Sequence, residues 1–179
     1  MMTTVELPLW LFVLIVLFAG ELLTASVMQS YEHDLAALVD LIIFIPLIIS
    51  SGGNSGSQSS SLVIRALAVG EVVPHDWVRI FYRELSMGLA LGLTLGVVGF
   101  IRAYLLGTAE PFNMGIAVSG SIVAVVTVGT LVGSLLPLLI KRLGFDPAVS
   151  STPFIASLVD VLGLMVYFTI ARLVFAHLL

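Results

Sequence analysis

The sequence predicts an all-α, polytopic membrane protein with five spanning helices, on three observations. Hydrophobic residues make up 59% of the 179-residue chain and charged residues only 10%, and mean hydropathy is +1.18. Soluble domains carry about 25% charged residues, so this chain lacks the polar groups to cover a water-facing surface, and its solvent is largely lipid. Four apolar runs, at about 7–28, 85–106, 112–140 and 153–177, reach the roughly 20 helical residues that a hydrocarbon core of about 30 Å demands. A fifth stretch, about 35–70, is apolar at both ends and polar in its middle.

The first run has no basic residue before it and extends too far for the short apolar core of a secretory signal, so it is expected to be a spanning helix. The fifth stretch opens with LAALVDLIIFIPLII, turns polar as SSGGNSGSQSSS (Ser50–Ser61), and closes with LVIRALAVG. Read as an extramembrane linker, the polar run leaves about 15 apolar residues before it, short for a span. Read as one long or broken helix, it places polar groups at membrane depth, which is tolerated only inside protein or beside a water-filled cavity. The second reading is favoured and makes five spans within a single domain, 1–179. The segment PHDWVRIFYREL then lies at an interface, with Trp77, Phe81 and Tyr82 as aromatic anchors. Gly88, Gly92 and Gly96 form one small-residue row and Gly129 and Gly133 another, a signal of close helix packing in lipid.

Basic residues in short loops orient the chain. Arg65, Arg79, Arg83, Lys141 and Arg142 fall on one side; Arg102 and Arg172 fall on the other with Glu32, His33 and Asp34. The expectation is a multi-pass protein of the cell inner (plasma) membrane, N-terminus cytoplasmic and C-terminus outside. No basic tract suits nucleic acid. The chain has no cysteine, which excludes disulfides and thiolate metal sites. His33, His75 and His177 are scattered, and no HExxH, GxSxG or phosphate-loop spacing occurs, so an enzyme is not expected.

Intramembrane acids carry the chemistry that remains. Glu6, Glu71, Asp76, Glu84, Glu110 and Asp146 fall at expected ends or loops, where solvation is the default. Glu21, Asp40 and Asp160 fall within spans, where a carboxylate is costly and marks a functional hypothesis. Asp160 shares a helix face with Pro153, Ser157 and Tyr167. That polar stripe faces protein or water, either as a cation site or as a protonated, hydrogen-bonded Asp. The run SGGNSGSQSSS adds Asn54, Gln58, serines such as Ser57, and glycines Gly53 and Gly56 that let carbonyl oxygens face a pathway. All are hard oxygen donors, suited to Mg²⁺ or Ca²⁺ over soft metals.

Two long motifs then resemble the MgtE family of magnesium channels and transporters. FIPLIISSGGNSGSQSSSLVIRALAVGEV, from Phe44 to Val73, resembles that family's second transmembrane helix, and LLPLLIKRLGFDPAVSSTPFIASLVDVLGLMVYF, from Leu135 to Phe168, its fourth-to-fifth helix segment; WVRIFYREL looks like the start of the third. The resemblance implies a homodimer of five-helix subunits in the lipid bilayer, with a pore along the subunit interface lined by the second and fifth helices. It implies a central Mg²⁺ site at Asp160, a path beside Gly53–Gly56, an outer acidic residue at Asp40, and an inner mouth at Thr152, where several relatives carry Asn. Many family members begin with cytosolic helical and CBS domains that close the pore; this chain starts just before the first span, as a natural short form or a truncated one, and that cytosolic regulatory part is absent from it. The expected activity is inward Mg²⁺ conduction through paired Asp160 carboxylates, with Mn²⁺, Co²⁺, Ni²⁺ or Ca²⁺ as other candidate ions. The competing expectations are a Na⁺- or H⁺-coupled exchanger on the same scaffold and a non-conducting membrane partner protein.

Overall fold

A computed structural model describes residues 6–32, 39–149 and 152–178. The helices are α1 (Glu6–Ser30), α2 (Ile45–Ala68), α3 (Trp77–Tyr104), α4 (Pro111–Arg142) and α5 (Thr152–Val174). Short 3-10 turns at Val39–Phe44, Pro74–Asp76 and Pro147–Val149 precede α2, α3 and α5. No strand occurs among the described residues, and the five long helices are each apolar enough to cross a membrane. His33, Asp34 and the start of the expected second span, 35–38, lie outside the described residues.

The observed helices keep the polar stretch inside one long helix, the favoured reading, and differ from the expected spans at the start of the third. The Ser50–Ser61 run is continuous α-helix and part of α2. An unbroken helix satisfies its backbone groups within the segment, which is the arrangement that hydrocarbon surroundings demand. Its serines bond back to carbonyls one turn earlier, Ser51 to Leu47 at 2.7 Å and Ser55 to Ser51 at 2.8 Å. The difference lies in α3, which begins at Trp77 rather than near 85 and absorbs the expected interfacial segment. Pro74 opens the preceding turn, where its missing N–H costs nothing.

The ends of α2 and α4 share one device. Gly70 (φ +75) and Gly144 (φ +86) are left-handed, and an added Cβ at either would meet nothing within 4 Å. Backbone conformation alone selects glycine there. The next residue bonds back five positions, Glu71 N–H to the Ala66 carbonyl at 3.0 Å and Phe145 N–H to Ile140 at 3.1 Å, closing the helix ends in Schellman fashion.

Packing is ordered by small residues. Gly88, Gly92 and Gly96 of α3 lie against Thr127, Val123 and Ser119 of α4; a Cβ on Gly92 would sit 2.9 Å from the Val123 Cα. On its other side α4 presents Gly129 and Gly133 to the Gly52 and Gly56 carbonyls of α2. α5 covers α2 and α4, and α1 packs chiefly on α5 with none of its span buried. Away from the basic end, Leu41, Phe44, Ile48, Ile122, Val125, Leu164, Tyr167 and Phe168 form the apolar core. The buried Tyr167 hydroxyl donates to the Leu41 carbonyl at 2.8 Å, tying the 3-10 turn to α5.

The basic residues segregate as expected: Arg65, Arg79, Arg83, Lys141 and Arg142 sit at the end where α2 and α4 finish and α3 begins. At the opposite end Glu110 accepts from the Asn113 amide and lies 3.0 and 3.1 Å from His177 Nε2 through its two oxygens. The bond with His177, and then that with Asn113, hold the Glu110 carboxyl below its ordinary 4.5.

Gly133→Ala should lower the unfolding temperature in detergent, at a cost of about 1–3 kcal/mol, because its Cβ must displace the Gly56 backbone. Gly120→Ala is the control. Its nearest neighbour would lie 3.9 Å away, and stability should hold or rise by up to about 1 kcal/mol. A carboxylate with a depressed folded pKa contributes stability above its unfolded value and loses it as pH falls through the folded one. Hydrogen-exchange protection at 175–178 is therefore expected to fall only below about pH 4.5, and Glu110→Gln should abolish that fall.

Candidate functional site

α2 and α5 run side by side with a groove between them, and its chemistry follows from helical spacing. Positions 53 and 57 of α2 fall one turn apart on the face towards α5, with 50 and 54 beside them. The first part of the groove, about 410 Å³, is lined by Ser50, Gly53, Asn54 and Ser57 of α2 with Ala156 and Asp160 of α5, and capped by Ile45, Pro46 and Ile49. A second part, about 450 Å³, is lined by Ser57, Gln58, Ser61, Leu62 and Thr152. Ser57 is common to both. The groove therefore leads from Asp160, midway along α5, to Thr152 at its start.

Asp160 stands opposite Gly53, where an added Cβ would come 3.2 Å from Oδ1. The carboxylate is part-buried and has no hydrogen-bond or ion-pair partner among the described residues. This disfavours the reading of Asp160 as an internal, hydrogen-bonded acid. The neighbouring oxygens are neutral. Ser57 donates to the Thr152 carbonyl at 3.3 Å, and Asn54 Nδ2 donates to Ser50 Oγ at 3.2 Å. With those protons engaged, hydroxyl and amide oxygens keep lone pairs to accept from a ligand. One carboxylate with neutral oxygens is not a dehydrating cage, and no group of three His, Cys, Asp or Glu able to hold a metal occurs among the described residues. The set suits a cation that keeps its own waters, as Mg²⁺ tends to.

Of the expected site residues, Gly53, Asn54, Ser57, Gln58, Thr152 and Asp160 are brought together along this groove. Three are not. Gly56 faces α4, its added Cβ falling 2.9 Å from the Gly129 carbonyl, and serves the helix seam. Ser157 faces α1, within 3.1 Å of a Cβ placed on Gly20. Asp40 lines a separate cavity of about 350 Å³ at the opposite end, with Thr108, Glu110 and Phe175. Glu21, beside Gly20 on α1, is exposed.

Glu84 corrects the expectation of a solvated acid at a helix end. It lies within α3, 4% exposed. Arg83 donates to Oε1 through Nη2 at 2.7 Å and Nε at 3.1 Å, and the Ser59 hydroxyl of α2 donates to Oε2 at 2.8 Å. Thr130 of α4 donates to the Glu84 carbonyl at 3.3 Å. A buried carboxylate is tolerated when paired and hydrogen-bonded. The clue in sequence was the four-residue step from Glu84 to Gly88, which puts the acid on the packed glycine face. Ser59 adjoins groove residue Gln58, so the cluster anchors the helix that carries the groove.

A family model described as a divalent cation transporter, MgtE, matches residues 45–170. A magnesium transporter MgtE of Thermus thermophilus is 41% identical over 160 residues, covering 89% of this chain and 35% of that protein. Proteins of the same name from Enterococcus faecalis and Bacillus subtilis are 35% and 33% identical, over 92% and 90% of this chain and 35% of each relative. The chain thus spans about a third of the length of the curated relatives it matches.

Ser59→Ala should destabilise the folded protein by about 1.5–3 kcal/mol, because it removes a hydrogen bond to a buried charge. Thermal unfolding in detergent measures this. Ser55→Ala, whose hydroxyl bonds only its own helix, should change stability by less than about 0.5 kcal/mol.

Proposed function

This chain belongs to the MgtE family of divalent cation transporters, and on that premise we propose that it carries Mg²⁺ inward across a membrane along the α2–α5 groove. The observation that carries the reading is the unpartnered Asp160 carboxylate at the head of a groove of neutral oxygen ligands. A transporter family with no catalytic constellation in the sequence accords with a non-enzymatic role.

The groove is open along one side, and Asn54, Gln58 and Ser61 are exposed there within a helix long and apolar enough to span the bilayer. Polar groups at that depth cannot face acyl chains. A second copy related by a twofold axis would cover them and bring two Asp160 carboxylates to one path. Two carboxylates repel when alone and are both neutralised by one divalent ion, which favours divalent over monovalent occupancy. Holding the ion through its waters avoids stripping a shell that Mg²⁺ gives up reluctantly. With the basic end cytoplasmic, an inside-negative potential drives a charge of two by about 4.6 kcal/mol per 100 mV, twice the single-charge figure. Mn²⁺, Co²⁺, Ni²⁺ and Ca²⁺ also take oxygen ligands and are candidates for the same path.

Liposomes holding the purified protein and a Mg²⁺ dye, in Na⁺-free buffer, should take up Mg²⁺ when an inside-negative potential is imposed. Asp160→Ala should slow uptake at least about tenfold, or about 1.4 kcal/mol, while leaving the dimer intact in crosslinking. Uptake by Asp160→Ala at the wild-type rate would remove the central site. Strict dependence on a Na⁺ or H⁺ gradient would replace conduction with coupled exchange.

A further inference from the structure

At the basic end of the bundle, away from the α2–α5 groove, a second groove of about 300 Å³ lies between the last turns of α4 and the start of α3. Its lining is Pro74, Trp77, Leu135, Leu138, Leu139 and Arg142. Arg142 is its one charged member. The Arg142 side chain is exposed and makes no ion pair or hydrogen bond among the described residues, and the same holds for the side chains of adjacent Lys141 and of Arg79, two residues after Trp77. The acids at this end are largely engaged. Glu84 is held by Arg83 and Ser59. Asp76 accepts the Val73 N–H and Asp146 the Ala148 N–H, both at 3.0 Å. Glu71 is exposed in the α2–α3 loop. The helix dipole alone favours basic residues in the last turn of α4, but it does not account for an apolar slot beneath them.

We propose that this groove binds an anionic phospholipid of the leaflet at the basic end. One acyl chain lies against Leu135, Leu138, Leu139 and Pro74, the phosphate meets Arg142, and the half-exposed Trp77 ring sits at the glycerol level. Charge complementarity selects this occupant. A soluble phosphate matches Arg142 and leaves the walls bare. A zwitterionic lipid matches the walls but brings its own cation beside Arg142, Lys141 and Arg79, whose side chains have no ion pair among the described residues.

The chain has two tryptophans, Trp10 and Trp77, so Trp10→Phe leaves Trp77 as sole reporter. In proteoliposomes, its fluorescence is followed as phosphatidylglycerol or phosphatidylcholine with brominated chains replaces the plain lipid. The expected result is a preference for phosphatidylglycerol at Trp77 of about fivefold, lost in Arg142→Gln and largely kept in Arg142→Lys. Equal quenching by the two lipids, or a preference that survives Arg142→Gln, would overturn the assignment. So would equal loss in both Arg142 variants, since the charge would then not be what selects the lipid.

Discussion

Backbone meets backbone where α2 crosses α4, and the rest of the molecule depends on that contact. Gly129 and Gly133 leave room for the Gly52 and Gly56 carbonyls. In lipid no hydrophobic drive pulls helices together, so van der Waals contact at short range must do so. A helix as polar as α2 has little claim on hydrocarbon. It is held at membrane depth because one side is pressed against α4 and another against α5. The continuous helix satisfies its own amides, and several of its serines cap their own carbonyls.

That seating leaves the remaining face of α2 free for chemistry. Adjacent glycines divide the work: Gly52 approaches α4 while Gly53 stands before Asp160. A larger residue at either position would push on a different neighbour, Val125 at one and Asp160 at the other. The Glu84 cluster adds a polar tie between α3 and α2 a short way along the helix. Thr152, bonded by Ser57 and near Ser61, fixes the start of α5 to the same helix. The groove is therefore bounded by elements that each hold α2 by a different kind of interaction.

Electrostatics follow the same division. Three carboxylates at the ends of the spans, Asp76, Asp146 and Glu110, are engaged by local donors. Asp160 alone among the groove residues presents charge without a donor. The proposed cation path and the proposed lipid groove thus rest on the same kind of observation, a charged group left without a partner beside a shaped surface, and differ in sign.

The five spans were legible in the sequence, because a bilayer imposes a length and a composition that local sequence must meet. Asp160 was legible for the same reason: an acid amid FIASLVDVLGLMVYF has no inexpensive explanation. Gly56 and Ser157 were not separable from their neighbours. Spacing says which residues share a helix face but not which helix that face meets, so the seam with α4 and the contact with α1 appeared only once the helices were packed. Glu84 was misplaced because hydropathy shows where a run becomes apolar, not where a helix begins. The start of α3 at Trp77 moved that acid from an expected end into the interior. Sequence alone thus determined the class, the spans and the costly acid, all set by the solvent along one helix at a time. Tertiary structure decided which polar residues share a groove and which charges find partners, because those depend on the approach of residues far apart in the chain.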